Sequence, residues 1–386
     1  MIEKGKISSF QMALILFPAI LATAVLVVPA ITSQHAGRDM WISPLWASVV
    51  GVLTVVVAHA LHQRHPGQTV IQYCESLLGT VLGKAIGLQY LFFYLHMTGI
   101  IVREYAEFVV GTFLARTPLI LVMGSMVLIA GFAVRGGLEV IGRLAELFVP
   151  VFVALLVLSI LLILPELEPT NMLPILENGL APSFKGALVP LGWLSEMFLL
   201  AFLLPFLSDP ENGRKAGFVT AAALIVTMTV ANLVTLWLFG DITSKLSYPI
   251  MTGVQYIDIA DFLQNVESIV MAIWVTGAFV KIAAFYYVLV LGTAQWLHLT
   301  DYRPLALPMG LLILGFALWS APGFADLVTY LWTSIPLYLT TMQTVLPLGL
   351  LLISALRGRR SPSSGLENPD RVTKPARSPA GPAGTR

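Results

Sequence analysis

Charged residues are scarce in this sequence and cysteine is almost absent. Only 11% of the 386 residues are Asp, Glu, Lys or Arg, whereas 57% are hydrophobic, and the mean hydropathy is +0.84. Soluble domains carry roughly 25% charged residues, so a water-soluble globular protein is excluded. The lone cysteine, Cys74, excludes an intrachain disulfide and a zinc site built from clustered cysteines.

Excess charge and catalytic motifs are missing as well. Lys and Arg number 22 against 21 for Asp and Glu, which gives a net charge of +1 and no reason to expect nucleic acid as a partner. The sequence has no Walker A loop, no G-x-S-x-G elbow and no H-E-x-x-H pair. We therefore predict a protein that is not an enzyme and that needs neither a cofactor nor a metal.

Long uncharged stretches are what the sequence does contain. A helix that spans the bilayer needs about 20 apolar residues, and the stretches predict an all-α integral membrane protein with ten transmembrane helices. The predicted spans are residues 7–37, 40–63, 85–102, 117–134, 147–165, 186–208, 216–240, 268–300, 304–325 and 327–356. Residues 1–356 then form the membrane domain, and the Pro-, Ser-, Gly- and Arg-rich residues 357–386 are predicted to be a disordered cytoplasmic tail.

The basic residues predict the orientation of these spans. Twelve fall on the side that holds both termini, and only Arg38, Arg116, Lys185 and Lys245 fall on the other. Because cytoplasmic loops are enriched in Lys and Arg, both termini are predicted to be cytoplasmic. The outer loop 165–185 carries three carboxylates and the outer loop 241–267 carries four, and residues 255–263 show a short amphipathic pattern.

The N-terminal stretch imitates a secretory signal peptide. Two lysines precede an apolar run and the small-residue sequence Ala22-Thr23-Ala24. The uncharged stretch continues to Gly37, however, far beyond the usual length of a signal peptide's apolar region. We expect it to be a retained first span.

Two spans contain residues that weaken a helix. Span one has Pro18, Pro29 and the small residues between them, which predicts a break near residues 22–25. Span six has Pro190, Gly192 and a glutamate near its middle. Because five spans separate the two breaks, they occupy corresponding places in two five-helix halves, the 5+5 pattern of an inverted-repeat transporter. Exposed backbone at such breaks favours the carboxylate and ammonium groups of an amino acid.

Ionisable residues within spans are costly and are therefore candidate functional groups. Lys281 lies near the centre of span eight and needs a partner, either Glu196 or the carbonyl groups of a broken first helix. A pair of Glu196 and Lys281 would either be a structural ion pair or couple the protein's function to an ion or a proton. In span three, Arg103 and Glu107 lie four residues apart and are predicted to pair, while Glu104 faces a cavity or the outer mouth. These three residues are predicted to have a structural or gating role, or else to contact the ligand.

Other residues have weaker signals. Arg143 and Glu146, at the start of span five, are predicted to form an inner gate or a packing pair. The residues His59, His62 and His65 recur every three positions, which fits an interfacial location better than a metal site; His96 is either a core residue or a proton carrier. Residues 68–83 are predicted to form an interfacial amphipathic helix, and Gly79, Gly83 and Gly87 to permit close helix packing.

Several motifs occur in an order that resembles a known family. They are Ile7-Ser8-Ser9-Phe10-Gln11, Pro29, the stretch from Gly137 to Arg143, Gly192-Trp193-Leu194-Ser195-Glu196, and Ile273-Trp274 with Lys281. This order is similar to that of the B subunits of spore germinant receptors, the GerAB-type endospore germination permeases of the amino acid/polyamine/organocation superfamily. The resemblance implies a LeuT-like fold with broken helices 1 and 6.

The resemblance also implies a ligand, a site and partners. A small nutrient, usually an amino acid, would bind between the broken helices. The pocket carried over by position is Ala22, Thr23, Ala24, Val25, Gly192, Trp193, Leu194 and Ser195. The partners implied are a membrane A-type subunit and a C-type lipoprotein subunit in the spore inner membrane.

Three functions remain open at this stage. The first is a sensor that binds a nutrient and signals to partner subunits. The second is an autonomous proton-coupled amino-acid permease in which Glu196, Lys281 or His96 relays charge. The third is a purely structural membrane partner, which would leave the buried Lys281 without an explanation.

Overall fold

A computed structural model describes residues 2–255 and 267–358, and every regular element within those ranges is helical. A single parallel backbone bridge joins Ile7 to Leu207. The α-helices are α1 (Ser9–Ala36), α2 (Ser43–Arg64), α3 (Val70–Leu78), α4 (Thr80–Thr112), α5 (Leu119–Gly136), α6 (Leu138–Ile163), α7 (Ala181–Gly186), α8 (Leu188–Ser195), α9 (Leu200–Leu203), α10 (Pro210–Phe239), α11 (Pro249–Gln255), α12 (Glu267–Trp296), α13 (Ala306–Trp319), α14 (Phe324–Thr333), α15 (Ile335–Thr340) and α16 (Leu346–Leu356).

The helices include enough long apolar stretches for a multi-span membrane protein. Within the described residues, eight stretches are long and apolar enough to cross a bilayer, and a bent pair makes up to nine. The first of these stretches contains two helices, α1 and α2, joined by a short 3-10 segment. The all-α membrane architecture is therefore confirmed, whereas the count of ten spans stays a prediction.

Helix α1 forms the centre of the bundle and is continuous. It packs against α10, α12, α6 and α8, and residues 18–33 are all buried. The break expected near residues 22–25 is therefore wrong for this structure. Pro18 and Pro29 each remove only one backbone hydrogen bond, and neighbouring helices on every side hold the remaining turns in place.

Span six contains the interruption that its sequence predicts. Helix α8 ends at Ser195, the chain forms a 3-10 turn over Glu196–Leu199, and the short helix α9 follows. A second 3-10 turn, Leu204–Phe206, includes Pro205. Tight 3-10 turns within a helix often occur at functional hinges, and this one begins at the intramembrane carboxylate.

The last two predicted spans are divided differently in the structure. Helices α13 and α14 meet at a bend of 95°, and α14 is a separate helix rather than the start of span ten. Pro322 and Gly323 interrupt the chain before α14, and Pro336 lies in the first turn of α15 after it. The sequence did not predict this bend, because the length of an uncharged run does not indicate whether a helix changes direction.

Two further boundaries differ from the prediction. Helix α6 begins at Leu138, nine residues before the predicted span, because its charged first turns are exposed and a search for uncharged residues excludes them. The predicted interfacial helix is α3, and Gly83 of α4 lies so close to it that an added Cβ would be 2.4 Å from the Cα atom of Glu75. Gly79 instead forms the turn between the two helices, with φ of +85°.

Two predictions concern residues that lie almost entirely outside the described ranges. The tail predicted at 357–386 lies outside the described residues apart from its first two positions, and it stays a prediction. The amphipathic pattern at 255–263 also lies outside them, apart from its first residue.

Candidate functional site

A buried polar cluster joins three helical segments at the centre of the bundle. The Nζ atom of Lys281 on α12 lies 2.7 Å from Oε2 of Glu196 and donates a second hydrogen bond of 2.9 Å to Oγ1 of Thr23. The side chains of Lys281 and Glu196 are each 1% exposed. The expected pairing of these two residues is confirmed, and α1 supplies a hydroxyl to the lysine rather than a free carbonyl group.

Trp193 completes this cluster from the turn before the 3-10 segment. Its Nε1 atom donates a 2.8 Å hydrogen bond to the same Thr23 oxygen that accepts from Lys281. The Ser195 hydroxyl is bonded locally, to the carbonyl of Gly192 at 2.6 Å. Thr23 is therefore the point where α1, span six and α12 are joined, and any separation of span one from span six breaks at least one of these bonds.

The eight residues proposed from the resemblance as a ligand pocket are all buried. An added Cβ on Gly192 would lie 2.6 Å from the Cα atom of Pro336. Its small size therefore lets α15 approach α8. Ala22 is similarly close to Gly277 of α12. The assignment of all eight to a ligand site stays a prediction.

A cavity of about 160 Å³ lies beside the C-terminal half of α1. Three parts of the chain form most of its wall: α1, the segment 244–248 and α14. Its apolar lining includes Val27, Ile31, Leu327 and Leu331, and none of the eight proposed pocket residues contributes to it. The sequence did not predict the part of the cavity wall that α14 forms, because this part depends on the bend between α13 and α14.

Glu104 of α4 reaches this cavity. It is 4% exposed, and its Oε1 atom is buried without a hydrogen-bond partner within the described residues. Lys281 and Glu196 lie within electrostatic range of its carboxyl group. The expectation that Glu104 faces a cavity is therefore confirmed. Trp332 of α14 also lines the cavity, and no signal in the sequence singled it out. Its Nε1 atom is buried and has no hydrogen-bond partner among the residues that the structure describes.

The two predicted pairs of charged residues have different outcomes. Arg103 and Glu107 pair as expected, with 2.7 Å between Nη2 and Oε1. The Arg143–Glu146 pair is wrong, because Arg143 instead contacts Glu139 at 2.5 Å, one turn earlier on α6. Four-residue spacing aligns Arg143 and Glu139 on one exposed face, and Glu146 is separately exposed. A gating role for any of these residues stays a prediction.

The histidines lie in two settings. His65 Nε2 is 3.0 Å from the Ser354 hydroxyl, and burial lowers the pKa of its imidazole. His96 packs among aromatic rings, including those of Phe316, Trp319 and Tyr338. Within residues 2–255 and 267–358, no group of three or more His, Cys, Asp or Glu residues could hold a metal ion.

The N-terminal segment closes one end of the bundle, and sequence reasoning missed it. Glu3 is 6% exposed, and its Oε2 atom accepts hydrogen bonds from the hydroxyl groups of Tyr302 at 2.6 Å and Tyr287 at 3.2 Å. Burial and the Glu3 carboxylate raise the pKa of Tyr302, which keeps that hydroxyl a donor. A carboxylate three residues from the start of the sequence has no local pattern that would predict such burial.

The same segment is tied to the end of span six. Ile7 N donates to the carbonyl of Phe206 at 3.0 Å, and both the amide and the hydroxyl of Ser9 donate to Asp209, at 2.6 and 2.5 Å. These bonds hold the pKa of Asp209 below its ordinary value, with the Ser9 hydroxyl as the largest cause. The start of α1 and the segment after α9 are therefore joined outside the central cluster.

Comparison with solved structures shows the fold. The chain matches the structure of Mhp1, a nucleobase-cation-symport-1 family transporter in a closed conformation with bromovinylhydantoin bound, with a TM-score of 0.59. The match covers 90% of this chain and 78% of that one at 14% sequence identity. At that identity the likeness concerns the fold alone, and it agrees with the LeuT-like architecture expected from the sequence.

Comparison with known sequences shows the family. The chain is 27% identical to spore germination protein KB of Bacillus subtilis (strain 168), over 94% of this chain and 98% of that protein. It is 26% identical to spore germination protein YndE of the same organism, over 92% and 98% of the two chains. The family described as "Spore germination protein" matches residues 6–325. This integral membrane protein therefore belongs to the spore permease family of spore germination proteins.

Proposed function

We propose that this protein is the nutrient-sensing membrane subunit of a spore germination receptor. A small nutrient, an amino acid, binds between spans one and six and shifts the bundle between two arrangements. The observation that carries the proposal is the Thr23-centred cluster, because two hydrogen bonds accepted by Thr23 and the Lys281–Glu196 ion pair link these two spans. A ligand that binds one arrangement more tightly shifts the population toward it.

The proposed site combines residues from both spans. Thr23, Trp193 and their neighbours Ala22, Ala24, Val25, Gly192, Leu194 and Ser195 form the ligand-binding region. Glu196 and Lys281 either hold the bundle together or couple ligand binding to the change of arrangement. Arg103, Glu104, Glu107, Arg143 and Glu146 are gating candidates on α4 and α6.

The proposed surroundings follow from the family. The subunit lies in the spore inner membrane with both termini cytoplasmic, and an A-type membrane subunit and a C-type lipoprotein subunit receive the signal. Relatives named as spore germination proteins support this setting, since they are similar over nearly the whole chain.

Ligand-dependent stability of the purified protein tests the proposal. Amino acids, sugars and nucleosides are screened for a rise in melting temperature, with and without the partner subunits, because a ligand that binds only the folded state stabilises it. Thr23→Val should abolish the effect of a true ligand. Thr227→Val is the matched control, since the Thr227 hydroxyl bonds only to a carbonyl of its own helix. Failure of every compound in both preparations would overturn the proposal.

A second candidate is an autonomous proton-coupled amino-acid permease. The buried Glu196–Lys281 pair favours it, because intramembrane ion pairs commonly relay charge in transporters. Uptake of radiolabelled amino acid into vesicles would then collapse when the pH gradient is dissipated. Saturable binding without uptake would support the sensor and exclude the permease.

A further inference from the structure

The chain begins with a segment that lies across one end of the helical bundle. Residues 2–9, which we call the strap, comprise the non-helical chain before α1 and the first residue of that helix. Glu3 and Ile7 of the strap are buried, whereas Lys4 and Lys6 are exposed. Terminal residues are usually poorly ordered unless specific contacts tie them down. The buried carboxylate therefore needs partners that offset the cost of its desolvation.

Glu3 anchors the first part of the strap to three other parts of the bundle. Its Oε2 atom accepts hydrogen bonds from the hydroxyl groups of Tyr302 at 2.6 Å and Tyr287 at 3.2 Å. The backbone amide of Leu138 donates to the same oxygen at 3.3 Å. Tyr287 lies on α12, Leu138 is the first residue of α6, and Tyr302 precedes α13. One carboxylate therefore bonds to α12, to the start of α6 and to the chain that leads into α13.

The second part of the strap is bonded to the end of span six. The amide of Ile7 donates to the carbonyl of Phe206 at 3.0 Å, and the amide of Ser208 donates to the carbonyl of Ile7 at 2.9 Å. The amide and the hydroxyl of Ser9 both donate to the carboxylate of Asp209, at 2.6 and 2.5 Å. The strap therefore connects the end of span six to the elements that Glu3 contacts.

This connection restricts how span six can move. The 3-10 turn that begins at Glu196 interrupts the span, and such turns within a helix often mark functional hinges. If the segment after this turn moves relative to α6 and α12, the partners of Ile7 separate from the partners of Glu3. The strap is bonded to both groups of partners, so some of its hydrogen bonds have to break before that movement can occur.

The contacts of the strap are of a kind that can break and form again. Most are hydrogen bonds, whose net contribution to stability is modest because water replaces them when the segment leaves. Lys4 and Lys6 expose one edge of the strap to solvent. Ile7 packs against α6, where an added Cβ on Gly142 would lie 3.0 Å from its Cγ2 atom. Segments with few buried apolar contacts open locally at a low cost in free energy.

From these contacts we propose that the strap is a reversible lock for the end of the bundle at which it lies. The lock is closed in the arrangement described here. This end opens when the Glu3 carboxylate leaves its two tyrosines and Ile7 separates from Phe206. The inference goes beyond the proposed function, because the lock acts whether or not a nutrient binds.

A permanent anchor is the alternative to a lock. Loss of a permanent anchor would destabilise the whole bundle, so residues at both ends would become accessible together. Loss of a lock would expose the residues behind the strap, while the opposite end of the bundle stays protected. The rate at which cysteines at chosen positions react with a water-soluble maleimide distinguishes the two, because a buried thiol reacts in proportion to the population of the open form.

The sequence is well suited to this measurement. Cys74 is its lone cysteine, so Cys74→Ala gives a background without thiols. Ala283→Cys reports on the strap end, since Ala283 is 0% exposed and lies one helical turn before Tyr287 on the same face of α12. Ala145→Cys, also at a fully buried position, reports from α6. Ala30→Cys reports on the opposite end, roughly 30 Å along α1 from the strap.

Two variants open the lock at different points. Glu3→Ala removes the carboxylate that bonds to the tyrosines, and Asp209→Ala removes the acceptor of both Ser9 bonds. Glu211→Ala is the matched control, because Glu211 is an exposed carboxylate two residues from Asp209. Each variant is combined with each reporter in full-length protein in lipid nanodiscs, and no nutrient is added. The outcome is therefore independent of the ligand screen that tests the proposed function.

We expect Glu3→Ala and Asp209→Ala to speed the labelling of Ala283→Cys and Ala145→Cys at least about tenfold, since each removes at least two hydrogen bonds of the closed form. Labelling of Ala30→Cys should not change, and Glu211→Ala should alter no rate. Unchanged rates at both strap-end reporters would overturn the lock. Equal acceleration at all three reporters would also overturn it, in favour of a permanent anchor. If Glu3→Ala does not fold, Tyr302→Phe replaces it under the same criteria, because it removes a single hydroxyl from the Glu3 carboxylate.

Discussion

Lys281 of α12 lies 2.7 Å from Glu196 at the start of the 3-10 turn in span six, and both side chains are 1% exposed. The Lys281 ammonium also bonds to Thr23 and lies 5.4 Å from the centre of the Phe285 ring. Burial of two charges costs more than their attraction alone returns, and the additional hydrogen bond offsets part of that cost. The pair therefore makes the packing of span six depend on span eight.

Loss of one member of this pair should destabilise the protein strongly. Lys281→Met leaves Glu196 as an uncompensated buried carboxylate, and we expect a loss of about 3–5 kcal/mol in the free energy of unfolding. The double variant Lys281→Met with Glu196→Gln should lose less than Lys281→Met alone, because no buried charge is left unpaired.

The control is the exposed pair on α6. Arg143→Gln breaks the contact with Glu139, and exposed pairs contribute about 0–1 kcal/mol. Denaturation in detergent compares the variants. Equal losses in Lys281→Met and Arg143→Gln would contradict the importance assigned to the buried pair.

Loss of the Thr23 hydroxyl should destabilise the protein more than loss of one of the two hydrogen bonds that it accepts. Thr23→Val keeps the shape of the side chain but deprives Trp193 and Lys281 of one acceptor at the same time, and we expect a loss of about 1–3 kcal/mol. Trp193→Phe removes only one of these bonds and leaves the pair with Glu196 intact. Thermal denaturation measures both, with Thr227→Val as the control. A Thr23→Val variant as stable as that control would show that the cluster contributes nothing.

Gly192 should tolerate no side chain, because α15 packs directly against it. In Gly192→Ala the new Cβ meets the backbone of Pro336, and overpacking of this kind costs about 1–3 kcal/mol. Gly315→Ala on α13 is the matched control: no atom lies within 4 Å of its added Cβ, so the better helix propensity of alanine should stabilise it slightly. Comparable melting temperatures for the two variants would contradict the close approach of α15 to α8.

The contact between Ser9 and Asp209 should make stability depend on pH. Because the folded pKa of Asp209 lies below its ordinary value of 3.8, the carboxylate contributes stability above that value. The contribution is lost as the pH falls through the lowered folded pKa. Melting curves recorded from about pH 7 down to about pH 2 should therefore show a steeper acid loss for the unmodified protein than for Asp209→Asn.

Ser9→Ala supplies the control for this pH dependence. The Ser9 hydroxyl is the largest cause of the lowered pKa, so its removal should flatten the acid loss in the same direction as Asp209→Asn. An unchanged profile in both variants would mean that the contact does not survive in solution.

The sequence by itself determined the features that depend on local composition and spacing. Apolar runs predicted the helical membrane class, and the four-residue spacing of Arg103 and Glu107 predicted their pair. The residues Pro190 and Gly192 marked span six as irregular, and the isolated charge of Lys281 required a partner that Glu196 supplies. A buried charge has so few possible partners in an apolar chain that the sequence limited the partners of Lys281 to Glu196 or the carbonyl groups of α1.

Only the tertiary structure decided which neighbours fill space around these residues. Packing on every side kept α1 continuous despite its two prolines, and Pro336 packed against Gly192. The bend before α14 placed Trp332 in the wall of the cavity that Glu104 also lines, and the Glu3 carboxylate became buried against two tyrosines. These contacts join residues that are far apart in the chain. They depend on how whole helices pack, which local periodicity does not encode.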